Sequence, residues 1–149
     1  MRGRVEDEPK PANGTERKAK APQLSRALGR EAETLVHKLH TAARDIVEAI
    51  DGELSRDLEK RFSAGGEDVY TQNLLEDRGR RLPKLIERRY REDRLVRGRV
   101  DAYVRLFERL LDALAETPQG DQLVDASLAS ESGKLYLLLA QASGRISPQ

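Results

Sequence analysis

The chain has 149 residues, enough for one domain with its own core, and its 36% charged side chains nearly match its 38% hydrophobic ones, so large exposed faces are required. It has no cysteine, which excludes disulfides, thiolate metal ligands and thiol nucleophiles, and its net charge of +1 creates no global field calling for a polyanionic partner. Aromatics are only 4% and Trp is absent, so a core must be built from Leu, Val, Ile and Ala. These features predict an all-α fold: a bundle of four or five helices with one unusually long N-terminal helix and a disordered N-terminal tail.

Residues 1–22 mix Arg, Lys, Glu, Pro and Gly, with Val5 and three alanines as their apolar side chains beyond Met1. Such a segment buries too little surface to offset its chain entropy, and a disordered tail is expected there, followed by a single helical domain over 23–149. The first twenty residues are too charged for a secretory signal, and the longest apolar run, Leu135 to Ala140, is far short of the ~20 residues that span a bilayer. The expected location is cytoplasmic. Heavy Arg and Ala usage suits a bacterium with a GC-rich genome.

From Leu24 a stripe runs through Leu28, Ala32, Leu35, Leu39, Ala42, Ile46 and Ala49 at spacings of four and three, which keeps it on one helical face. It continues out of phase through Ile50, Leu54, Leu58 and Phe62, with Gly52 as a candidate bend. An unbroken helix over 23–62 is long for a globular protein. Its heptad-like spacing makes it the expected contact for a protein partner or a second copy, through Leu28, Leu35, Leu39 and Ile46. A weaker helical segment covers Glu67 to Arg78, and Gly79 and Pro83 mark a new start near Arg81.

The segment from Arg81 to Glu116 carries the clearest amphipathic signal. Leu82, Leu85, Ile86, Val96, Val100, Tyr103, Val104, Phe107, Leu110, Leu111 and Leu114 fall within an arc of about 120° on a continuous helix. Arg89 and Asp93 interrupt that arc one turn apart, where an i,i+4 ion pair is expected. Thr117-Pro118-Gln119-Gly120 stops the helix. The last segment is expected as two pieces, with Ser130 capping the second, and the run Leu135–Ala140 as a helix packed on several sides at the centre of the bundle.

Charge is unevenly distributed. Residues 78–99 hold ten bases against three acids, residues 48–77 nine acids against three bases, and residues 112–133 five acids and no base. The basic stripe, Arg80, Arg81, Lys84, Arg88, Arg91 and Arg94, could suit nucleic-acid phosphates or an acidic partner, but the expected outcome is that the chain's own acidic stretches, around Glu53–Asp57 or Asp112–Asp125, pair with it. The only aromatic within its span is Tyr90, which is too little for a base-stacking platform. His37 and His40 share a helix with no third metal ligand evident, and no phosphate loop or nucleophile elbow appears. The chain is therefore read as a non-catalytic protein-interaction module, adaptor or structural subunit without metal, cofactor or small-molecule substrate. The alternative is a nucleic-acid-associated protein.

Overall fold

A computed structural model of the chain describes residues 29–146, and all of their regular structure is helical. The expected tail and the stripe positions Leu24 and Leu28 lie outside the described residues. Seven α-helices are present among those described: α1 (Gly29–Asp51), α2 (Arg56–Ser63), α3 (Val69–Gln72), α4 (Leu82–Glu92), α5 (Arg94–Ala115), α6 (Gly120–Ala129) and α7 (Glu131–Ala142). A π-helical turn, Asn73–Asp77, and a 3-10 turn, Gly79–Arg81, join α3 to α4.

The count exceeds five because two expected helices are each broken once. The helix expected over 23–62 ends at Asp51, where Gly52 takes a left-handed conformation (φ 85°) that favours glycine and donates its N–H to the Glu48 carbonyl. Ser55 then caps α2, its Oγ accepting from the Leu58 N–H at 3.3 Å. The change of phase in the apolar stripe thus marks a break between two helices rather than a bend in one.

The second break falls at Asp93. This residue is extended (φ −122°, ψ 109°), ends α4, and caps α5 by accepting from the N–H groups of Leu95 and Val96 at 3.0 and 3.2 Å. Neither proline nor glycine is involved. The start of α4 behaves as its sequence implies, with Pro83 in the first turn, where a missing N–H costs nothing.

The core forms where the apolar stripes meet. Leu35, Leu39, Ala42, Ala43, Ile46 and Val47 of α1 pack chiefly along α5, which contributes Val96, Val100, Tyr103, Val104 and Phe107. Leu82 and Ile86 of α4, Tyr70 and Leu74, and Leu135 and Leu139 of α7 close the remaining sides. Each large apolar side chain removed from water in this way contributes about 1.5–3 kcal/mol before chain entropy is set against it. The Phe107 and Tyr136 rings stack at 4.7 Å between α5 and α7, and the buried Tyr103 hydroxyl donates to the Ser132 carbonyl at 2.9 Å.

The α7 helix departs from expectation. Leu135, Tyr136, Leu139 and Ala140 are buried, but Leu137 is 37% exposed and Leu138 only half-buried. It packs through one broad face instead of lying at the centre of the bundle. Ser130 caps it as expected, accepting from the Gly133 N–H at 3.1 Å.

Candidate interaction site

The two sets of side chains expected to meet a partner lie in opposite environments. Leu35, Leu39 and Ile46 are at most 2% exposed, because α5 of the same chain covers the stripe that carries them. The expectation that they hold a partner is therefore corrected: they are core side chains, with no surface left for a second chain to touch. Among the described residues, the exposed large apolar side chains, Val36, Leu95 and Leu137, stand on three different helices.

The basic stripe, by contrast, faces outward. Arg80, Arg81, Lys84, Arg88, Arg91 and Arg94 are all exposed, following one another from the 3-10 turn, along α4, to the first residue of α5. Among the described residues none of the six makes an ion pair within 4.0 Å. Pairing with the 48–77 acidic stretch does occur, but at other bases: Arg78 donates to Asp51 at 2.6 Å and Arg44 to Glu59 at 2.7 Å.

Arg44 on α1 holds Glu59 on α2 through two bonds of 2.7 and 3.0 Å, and the Tyr70 hydroxyl of α3 donates to the same carboxylate at 2.6 Å. The hydrogen bonds from Arg44 and then Tyr70 hold the Glu59 carboxyl down at about 2, while burial first and the bond to Glu59 second push the Tyr70 phenol up to about 12. Exposed acids also remain, notably Asp112, Glu116, Asp121 and Asp125 around the end of α5 and on α6. The folded chain thus presents a basic face and, elsewhere, an acidic one.

Two neighbours of the stripe are already engaged. Arg89 turns inward, bonding Asp93 at 2.8 Å and the carbonyls of Ala49 and Ile50 at 3.2 Å each. The Tyr90 hydroxyl donates to Asp101 at 2.8 Å and its ring lies 5.8 Å from the Arg97 guanidinium carbon, so it is not free to stack on a base.

The histidines are not equivalent. His37 is on the surface with Nδ1 3.3 Å from Glu67 Oε1, whereas the His40 side chain is only 15% exposed with Nε2 3.9 Å from the same oxygen. Burial lowers the His40 pKa, against the raising influence of Glu67 and Asp68. No group of three or more His, Asp or Glu side chains among the described residues is arranged to hold a metal ion. Sequence reasoning did not single out Glu67 or Thr71, and nothing in their spacing marks them; they meet His40 only through the turn between α2 and α3. The Asp93 cap did have a local signal, an Asp two residues ahead of the apolar pair Leu95-Val96.

The chain matches no protein-family model, no curated protein and no solved structure. No helix among the described residues is long and apolar enough to cross a membrane.

Proposed function

We propose that the chain is a non-catalytic helical interaction module whose contact surface is the basic stripe running from the 3-10 turn along α4 to the start of α5, and that this stripe engages an acidic protein surface. One observation carries the reading: six neighbouring cations, Arg80, Arg81, Lys84, Arg88, Arg91 and Arg94, stand exposed without ion-pair partners among the described residues. Holding that many like charges together is unfavourable, and a complementary surface relieves the repulsion while steering the encounter. A protein partner fits better than nucleic acid because Tyr90, the aromatic within the stripe's span, is already bonded to Asp101 and leaves no platform on which a base could stack.

The test is affinity capture from lysate with and without nuclease, comparing the wild type with a Lys84→Gln/Arg88→Gln/Arg91→Gln variant. The expected result is a protein retained by the wild type after nuclease treatment and lost by the variant. Nucleic acid is the competing ligand, and duplex titrations measure it directly. Five or six phosphate contacts would give a log–log salt slope of about −5, and the triple variant would remove roughly three units of it. That outcome would replace the protein reading.

A further inference from the structure

Among the described residues, two buried side-chain polar atoms lack a hydrogen-bond partner: His40 Nδ1 and Thr71 Oγ1. Both residues line the same cavity, of about 410 Å³, which lies between α1, the turn leading into α3, and the N-terminus of α7. Thr71 is 1% exposed, and leaving such a hydroxyl unpaired typically costs about 1–3 kcal/mol. Buried polar atoms nearly always have a partner, and here both orphans belong to residues lining one cavity.

The rest of the lining narrows the choice of ligand. Glu67, Asp68 and Glu131 bring three carboxylates, and no lysine or arginine lines the cavity. An anion would meet that field unfavourably. A bare metal ion lacks its ligand set, because no three side chains are arranged to hold one. An apolar ligand would leave the hydroxyl and the imidazole unpaired. Ser130 is committed as the cap of α7, and one Asp68 oxygen accepts from Gln72 at 3.0 Å. Glu131 makes no ion pair among the described residues. The imidazole faces Glu67 through Nε2, so a proton on that nitrogen leaves the Nδ1 lone pair as an acceptor.

We infer that this cavity binds a primary alkylammonium group, whose three N–H donors would be shared among Thr71 Oγ1, His40 Nδ1 and the Glu67 and Glu131 carboxylates. A tetrahedral ammonium carries the complement this lining lacks: positive charge and donors only. Burial keeps the imidazole neutral at neutral pH, which preserves it as an acceptor. Thr71 Oγ1 and His40 Nδ1 are covered by their neighbours, so the ammonium would reach them only as those side chains give way, and binding would be felt at the His40 ring itself. This site is separate from the basic stripe, and neither depends on the other.

The His40 imidazole nitrogens, followed by NMR in the full chain at neutral pH and constant ionic strength, supply the readout. Putrescine and Nα-acetyl-lysine amide are the two ammonium probes, the first standing for a free amine and the second for a lysine of a peptide; acetate and butanol are the anionic and neutral controls. We expect a saturable millimolar response to at least one ammonium probe and none to the controls. Glu131→Gln should weaken it about tenfold, the loss of one charge-assisted hydrogen bond. Thr71→Val, which keeps the shape and removes the hydroxyl, should weaken it similarly, while Arg105→Gln, at an exposed position outside the cavity lining, should leave it unchanged. Absence of saturation, an equal response to butanol, or affinity unchanged in both Glu131→Gln and Thr71→Val would overturn the inference. Glu131 is only partly buried, so its variant keeps the test decisive should Thr71→Val fail to fold.

Discussion

Arg89 and Asp93 form a 2.8 Å ion pair at the corner where α4 ends and α5 begins, and between them they satisfy the ends of two helices. Arg89 donates to the Ala49 and Ile50 carbonyls in the last turn of α1, and Asp93 accepts from the first free N–H groups of α5. Such end groups have no partner inside their own helix. The hydrogen bond from Arg89, ahead of that from the Val96 N–H, holds the Asp93 carboxyl below its usual range. On one continuous helix the pair would sit in the middle of the apolar arc; the corner instead delivers both charges to groups that need them.

This corner predicts an order of effects. Arg89→Ala strips donors from two carbonyls as well as a charge from Asp93 and should cost about 1.5–3 kcal/mol. Asp93→Ala removes the cap and should destabilise measurably, while Asp93→Asn keeps a capping oxygen and should do less harm. Denaturant melts of the three variants check the order. A double-mutant cycle between positions 89 and 93 should show positive coupling, and additive losses would mean the ion pair contributes nothing at the corner.

The α7 helix offers a sharper contrast. Leu139 is fully buried while Leu137, two residues earlier, is 37% exposed. Leu139→Ala should cost about 2–5 kcal/mol through lost burial and the cavity left behind. Leu137→Ala should stay within about 0.5 kcal/mol, as surface changes do. Comparable losses in the two variants would mean that α7 is covered on both faces.

These elements also show how far the sequence could be read. Spacing alone located the buried face of α4 and α5, because eleven apolar positions share one arc and all are buried or half-buried in the fold. The same regularity hid the break at Asp93, since the stripe keeps its phase across the corner; the polar pair inside the arc and the capping signal were the cues. Leu35, Leu39 and Ile46 were correctly placed on one face, but periodicity does not say whether that face is covered by the same chain or by another. Thr71 and His40 come together only through tertiary structure, so no local pattern announces their cavity. The exposure of the basic stripe was likewise not legible in the sequence, because the acidic stretches expected to pair with it had no assigned position.

Two glycines in helical surroundings should respond with opposite sign. A Cβ at Gly133 would run into the backbone carbonyl oxygens of Ser127 and Leu128, where α6 passes into α7. Neither obstacle is a flexible side chain, so Gly133→Ala should lower stability and disturb the α6–α7 corner. A Cβ at Gly98, inside α5 and exposed, would meet nothing within 4 Å. Gly98→Ala should therefore raise stability by about 0.5–1 kcal/mol, the ordinary difference in helix propensity. Thermal melts distinguish the two directions, and a destabilised Gly98→Ala would reveal a constraint on α5 not visible in its packing.

Acid should weaken the fold in two separate stages. His40 has a folded pKa below its ordinary 6.5 because burial disfavours the charged ring, so the unfolded chain takes up that proton first. Stability is then complete above about 6.5 and falls as pH drops from there toward the lower folded value. Glu59 acts in a lower window. Its folded value of about 2 lies beneath the ordinary 4.5, so its stabilisation is present above 4.5 and is lost as pH falls toward 2. Arg44 and Tyr70 are the causes, and their three bonds lose the anionic charge that strengthens them once the carboxylate is protonated. Denaturation midpoints measured across pH should show both declines. His40→Phe should flatten the upper one and leave the lower, while Glu59→Gln should make the lower one shallower, the remainder coming from Asp93, and leave the upper, at a cost near neutral pH of about 1 kcal/mol. A profile in which Glu59→Gln retains the wild-type slope between about 4.5 and 2 would show that the Arg44–Glu59–Tyr70 cluster does not couple α1, α2 and α3 as its distances imply.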